Sequence, residues 1–187
     1  ATQLDELLER SNGIPLYLEE LVAAGGARLV PETIAEAVRQ RAALLPPEVR
    51  ELADAAAVIG CSFEFDLFAD VVGASGAEID AGLRALCDEH LLVRLSDTKF
   101  DYRHALLRDA LYEDIPLTRR RLLHAEVARA SESVGLRRSY LAEQYELAQL
   151  PELAHPHAVD AARAAARISA HREAADLFAR ALRTAPA

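Results

Sequence analysis

The sequence has no methionine, no tryptophan and a single lysine, Lys99. With one lysine outside any glycine-rich run, there is no G-x-x-x-x-G-K-[ST] phosphate loop, and G-x-G-x-x-G, G-x-S-x-G and H-E-x-x-H are absent too. Aromatics make up only 5% of the residues, which argues against a strand-rich fold, since strands favour aromatic and β-branched side chains. Two cysteines, Cys61 and Cys87, cannot build a disulfide framework; their apolar flanks predict small buried hydrophobes in a reducing cytoplasm. No uninterrupted apolar run is long enough to cross a bilayer, so no membrane partner is expected. Positive charge is also scarce, with 21 Lys and Arg against 30 Asp and Glu. That balance excludes a general nucleic-acid or anionic-membrane binder, both of which need a basic footprint. The missing methionine, at residue 1 as elsewhere, suggests a piece of a longer protein.

What is present is apolar and alanine-rich: 51% hydrophobic residues in 187, enough for one large domain or two small ones. Alanine is the best helix former, so the chain is expected to be mainly α. Leu4, Leu7 and Leu8 mark a short first helix, and Pro15 opens a second, which stops at Gly25-Gly26. Ile34, Val38 and Leu45 form the stripe of a third, starting at Pro31, and Pro47 starts a fourth that Gly60 ends. A short helix over 65–72 is closed by Gly73, and another begins at Ser75 or Gly76 with Ile79, Leu83 and Leu86 inside. The period then changes. "LLVRL", a polar "SDTK" corner and "FDYRH" predict a β-hairpin, with helices over 105–113 and 118–134 to follow. Helix, helix, hairpin is the outline of a winged helix. Ala174, Phe178, Ala181 and Pro186 fit the second helix of a tetratricopeptide-like repeat, with 156–168 as its first helix and Ala158, Ala161, Ala162 and Ala165 facing inward. The expected division is a helical domain over 1–44, a winged-helix domain over 45–134 and the start of helical repeats over 138–187.

Chemistry-bearing clusters are few. His155 and His157 flank Pro156 without a completing zinc ligand, which predicts a solvated loop. Adjacent carboxylates such as Glu113-Asp114 diverge on a helix and suit surface solubility better than acid–base work. The helix before the hairpin carries Glu78, Asp80, Asp88 and Glu89 against Arg84 alone, so phosphates would repel it and direct nucleic-acid binding is not expected. His104 sits where the alternating stretch gives way to a helical one. Its residue type fits either a partly buried histidine bonded to a backbone carbonyl or a donor to an anion.

"SNGIPLYLEEL" (11–21), "LPPEVRELADAAAVIG" (45–60) and "FDYRHALLRDALYE" (100–113), in that order, resemble the region downstream of the nucleotide-binding core in STAND-type regulatory ATPases. The likeness is to large LuxR-type transcriptional regulators and cyclase-linked ATPases. The resemblance implies that Gly13 and Pro15 belong to a G-x-P motif whose proline lies against adenine; Pro15 is equally a plain helix opener. It also implies that His104 corresponds to the histidine that reaches the β-phosphate of ADP in the off state, with Arg103 as a second phosphate contact. Implied partners are an N-terminal ATPase core, a signal ligand or protein on the repeats, and further copies of the protein in the active state. ADP or ATP would be bound by the intact parent and not by this piece, which is expected to be no enzyme. Two other classes stay open: a helical-repeat interaction scaffold without a nucleotide role, and a DNA-binding winged-helix module.

Overall fold

A computed structural model describes residues 34–185, which form nine helices and three short strands. Gly13 and Pro15 lie outside the described residues. The chain is mainly α, as its alanine content dictates. In order the elements are α1 (Ile34–Ala43), α2 (Pro47–Ile59), β1 (Ser62–Glu64), α3 (Phe65–Val72), α4 (Gly76–Asp88), β2 (Leu92–Arg94), β3 (Lys99–Tyr102), α5 (Ala105–Asp114), α6 (Leu117–Ser133), α7 (Arg138–Leu147), α8 (Pro151–Arg167) and α9 (His171–Arg183). They fall into two compact units. One takes the described residues up to Phe65 together with Ala74–Ile115; the other takes Asp66–Gly73 and the residues from Pro116 onward.

In the first unit, α2 starts on Pro47 and buries an almost continuous run from Val49 to Ile59. Gly60 ends it at φ 138°, a backbone angle that side chains rarely permit, and donates its N–H to Ala56 O. The polypeptide then enters β1, a strand that the hairpin reading did not anticipate. The sheet is antiparallel in the order β1-β3-β2, so β3 is its centre and not a hairpin edge. Phe63 faces Phe100 across the β1–β3 pair with rings 5.9 Å apart. The corner between β2 and β3 is stapled: Arg94 donates to Ser96 O and Asp97 O, and the N–H groups of Thr98 and Lys99 reach Ser96 Oγ.

Helix α4 settles on Ser75 as its N-cap, through a reciprocal capping box with Glu78. Its Gly82 passes so close to Leu52 of α2 that an added Cβ would overlap the leucine side chain. α1 packs on α5, and Arg41 of α1 donates to Glu89 O at the end of α4. Arg50 of α2 bonds Asp54 at 2.8 Å and Asp114 of α5 at 2.7 Å, so Asp114 is a structural partner and not a solubility residue.

In the second unit, α6, α7, α8 and α9 pack each on the next. The small core residues Ala142, Ala158, Ala162 and Ala165 let the helix axes approach closely. Helix α8 begins five residues before the expected start, on Pro151, and carries Pro156 inside it. The expected loop around His155 and His157 is therefore helix: His157 is buried, and His155 bonds Ala181 O at 2.9 Å. The inward alanines of α8 are buried as expected, whereas Phe178 stays 43% exposed. The buried-cysteine expectation also needs correction. Cys61, just past the end of α2, is exposed, and Cys87 is only half-buried. Burial and the neighbouring Asp88 push the Cys87 thiol up. Among the described residues no helix is long and apolar enough to cross a membrane.

Candidate functional site

The strand–helix joint at 102–108 is set by alternation. Phe100 and Tyr102 point inward and are buried, so Asp101 and Arg103 take the other face. Tyr102 is fixed from both ends: its N–H donates to Cys61 O at 2.9 Å and its hydroxyl to Ala53 O of α2 at 3.1 Å. Arg103 prolongs the sheet by donating its N–H to Leu91 O, and its side chain is exposed.

His104 is the N-cap residue of α5, with extended backbone at φ −144° and ψ 140°. Its carbonyl accepts the Leu107 N–H at 3.0 Å, while its side chain makes no capping bond. The imidazole is half-buried and its Nε2 is closed off from solvent. Leu107 and Leu111, both fully buried, anchor the helix behind it. Arg108 locks the first turn: its Nε donates to Ala57 O at 2.8 Å and its guanidinium lies 4.6 Å from the centre of the Tyr112 ring. The histidine is thus placed by a rigid strand on one side and a pinned helix on the other, at the positive end of the helix dipole.

The two predicted phosphate contacts differ in setting. His104 turns partly inward and Arg103 faces solvent. A cavity of about 300 Å³ in this unit lies between α4 and the β2–β3 corner and is lined by Asp80, Arg84, Cys87, Arg94 and Asp97 among others, without His104 or Arg103. Among the described residues no group of three or more His, Cys, Asp or Glu side chains is arranged to hold a metal ion.

A second feature lies in the other unit and was missed from the sequence. A groove of about 1120 Å³ runs over α8 and α9 beside the start of α7. Four arginines and two carboxylates line it, with Leu177, Phe178 and Ile168 between them. The available signal was the spacing of Arg163 and Arg167 in "ARAAAR", which puts both on one helix face.

No protein-family model matches the chain, and no curated protein matches it.

Proposed function

We propose that this chain is the regulatory part of a nucleotide-switched signalling ATPase of the STAND type, joining an ATPase core to a helical sensor arm. In particular it fits the large LuxR-type transcriptional regulators or cyclase-linked ATPases, acting in the cytoplasm. The observation that carries the reading is the rigid placement of His104 at the start of α5, half-buried and next to an exposed arginine. An imidazole N–H at a helix start suits the phosphate of a nucleoside diphosphate, and Arg103 precedes it in the chain. The element order α2, β1, α3, α4, β2, β3 with β3 central supports a winged-helix unit. The three successive packed helices α7 to α9, within 138–187, support a repeat arm. In the parent, ADP would hold the winged helix against the core, and exchange for ATP would release it for self-association. Such a switch needs different nucleotide contacts in its two states. A piece without a phosphate loop would not hydrolyse ATP.

The DNA-binding reading is disfavoured by α4, whose acidic residues outnumber Arg84. The scaffold reading, with partner recruitment and no nucleotide, is favoured by the groove in the second unit.

The test uses the intact parent protein. It is denatured after purification and the supernatant is resolved by ion-exchange chromatography, wild type beside His104→Ala. Near-stoichiometric ADP from wild type, lost or replaced by ATP in the variant, supports the switch. No released nucleotide from wild type, or the same ADP from the variant, overturns it.

A further inference from the structure

The groove over α8 and α9 combines two properties that seldom coincide on a protein of net charge −9: an excess of positive charge and exposed apolar side chains. Arg163 and Arg167 stand one turn apart on α8, and Arg137 faces them from the N-cap of α7. Among the described residues none of these three has a carboxylate partner. The contrast lies next door. Arg180 and Arg183 of α9 both close on Glu146, at 2.8 and 3.2 Å, and Arg138 closes on Asp160 at 3.5 Å. The helices therefore pair Arg138, Arg180 and Arg183 and leave Arg137, Arg163 and Arg167 facing one groove. Between them Leu177 forms the floor, Phe178 is 43% exposed and Ile168 is 76% exposed.

From this charge complementarity we infer that the groove binds an acidic peptide segment of a partner protein that carries an apolar anchor residue. Guanidinium forks pair with carboxylates, and Phe178 and Ile168 offer the anchor an apolar seat. A groove of about 1120 Å³ takes several residues and is oversized for a lone small anion. Charge complementarity of this kind chooses the partner and speeds its arrival. The inference deepens the sensor-arm part of the reading above by naming its partner class. It does not depend on the nucleotide. ADP release without peptide binding overturns the groove alone, and peptide binding without ADP release overturns the switch alone.

The test is fluorescence anisotropy of the full chain with a labelled peptide EEFEEL, with KKFKKL and EESEES as controls. The expected result is binding in the range of about 10 µM at low salt, weakening in about 0.3 M salt as exposed charges are screened. KKFKKL should not bind, and EESEES should bind several-fold more weakly. Arg163→Glu with Arg167→Glu should weaken EEFEEL at least about tenfold. Should that pair disturb folding by circular dichroism, Arg163→Gln with Arg167→Gln takes its place, with the same direction expected. Phe178→Ala should weaken binding to about the level of EESEES. The inference is overturned by absence of EEFEEL binding, by equal binding of KKFKKL, or by arginine variants that bind as wild type. It is overturned as well if sedimentation equilibrium shows a dimer that the arginine variants dissociate, since a second copy would then fill the groove.

Discussion

His157 Nε2 lies 3.3 Å from Glu132 Oε1, and the other oxygen of the same carboxylate accepts the Tyr145 hydroxyl at 3.0 Å. Three helices meet there, α6 through Glu132, α7 through Tyr145 and α8 through His157. The His157 and Tyr145 rings stack at 5.7 Å, and Arg138 donates to His157 Nδ1 at 3.3 Å. A donor on Nδ1 requires a lone pair there, so the ring proton sits on Nε2 and is given to Glu132. Glu132→Ala leaves two inward-facing donors without their acceptor and should cost about 1–2 kcal/mol. Glu132→Gln keeps one acceptor oxygen and should cost less. Urea denaturation checks both; an alanine variant within about 0.5 kcal/mol of wild type would show that water replaces the carboxylate fully.

The helices with strong apolar periodicity were legible in the sequence. α2, α4 and α5 begin and end within a residue or two of where their prolines, glycines and leucine stripes put them. Two elements were not. β1 is three residues long with only Phe63 facing inward, too short to show alternation. α7 buries Gln144 beside Leu141, Ala142 and Tyr145, because Gln144 accepts a contact from His124 Nδ1 at 2.6 Å. A buried glutamine reads as surface until its partner twenty residues earlier is known. The same holds for the site. His104 was visible at the joint of two periodicities, but the groove joins Arg137 to residues of α8 and α9 that only tertiary packing brings near it.

Tyr102 makes stability fall at alkaline pH. Burial pushes its phenol well above the ordinary tyrosine value, against the opposing effect of Arg108. The folded state therefore keeps the proton at pH values where the unfolded chain loses it. Its contribution is fully present below about pH 10 and is lost as pH rises beyond that. One such proton gives a slope approaching about 1.4 kcal/mol per pH unit. Tyr145 is raised in the same direction by burial and by its bond to Glu132. Tyr102→Phe should cost about 1 kcal/mol at neutral pH through the lost bond to Ala53 O, and should flatten the alkaline slope. Urea midpoints measured from pH 8 to 11 decide it: an unchanged slope in the variant would assign the alkaline loss to other groups.

Three helices end on a residue that is not glycine in the left-handed region: His90 at φ 57°, Gln149 at φ 62° and Ser169 at φ 60°. In each, the next N–H reaches back to a carbonyl five residues earlier: Leu91 to Leu86, Leu150 to Tyr145 and Ala170 to Ala165. Gly135 occupies the equivalent place after α6, at φ 70°, with Leu136 bonded to Ser131 O. One closing device thus recurs, and only at Gly135 is it free of the Cβ penalty. Gln149→Gly and Ser169→Gly should each stabilise the second unit by about 0.5–1 kcal/mol, because strain relieved in the folded state exceeds the entropy added to the unfolded one. Gly135→Ala should destabilise by about 1 kcal/mol for the converse reason. In a chain of this size each change moves the thermal midpoint by about 1–4 °C. Glycine variants that melt below wild type would mean that the side chains of Gln149 and Ser169 hold their turns more strongly than the left-handed backbone strains them.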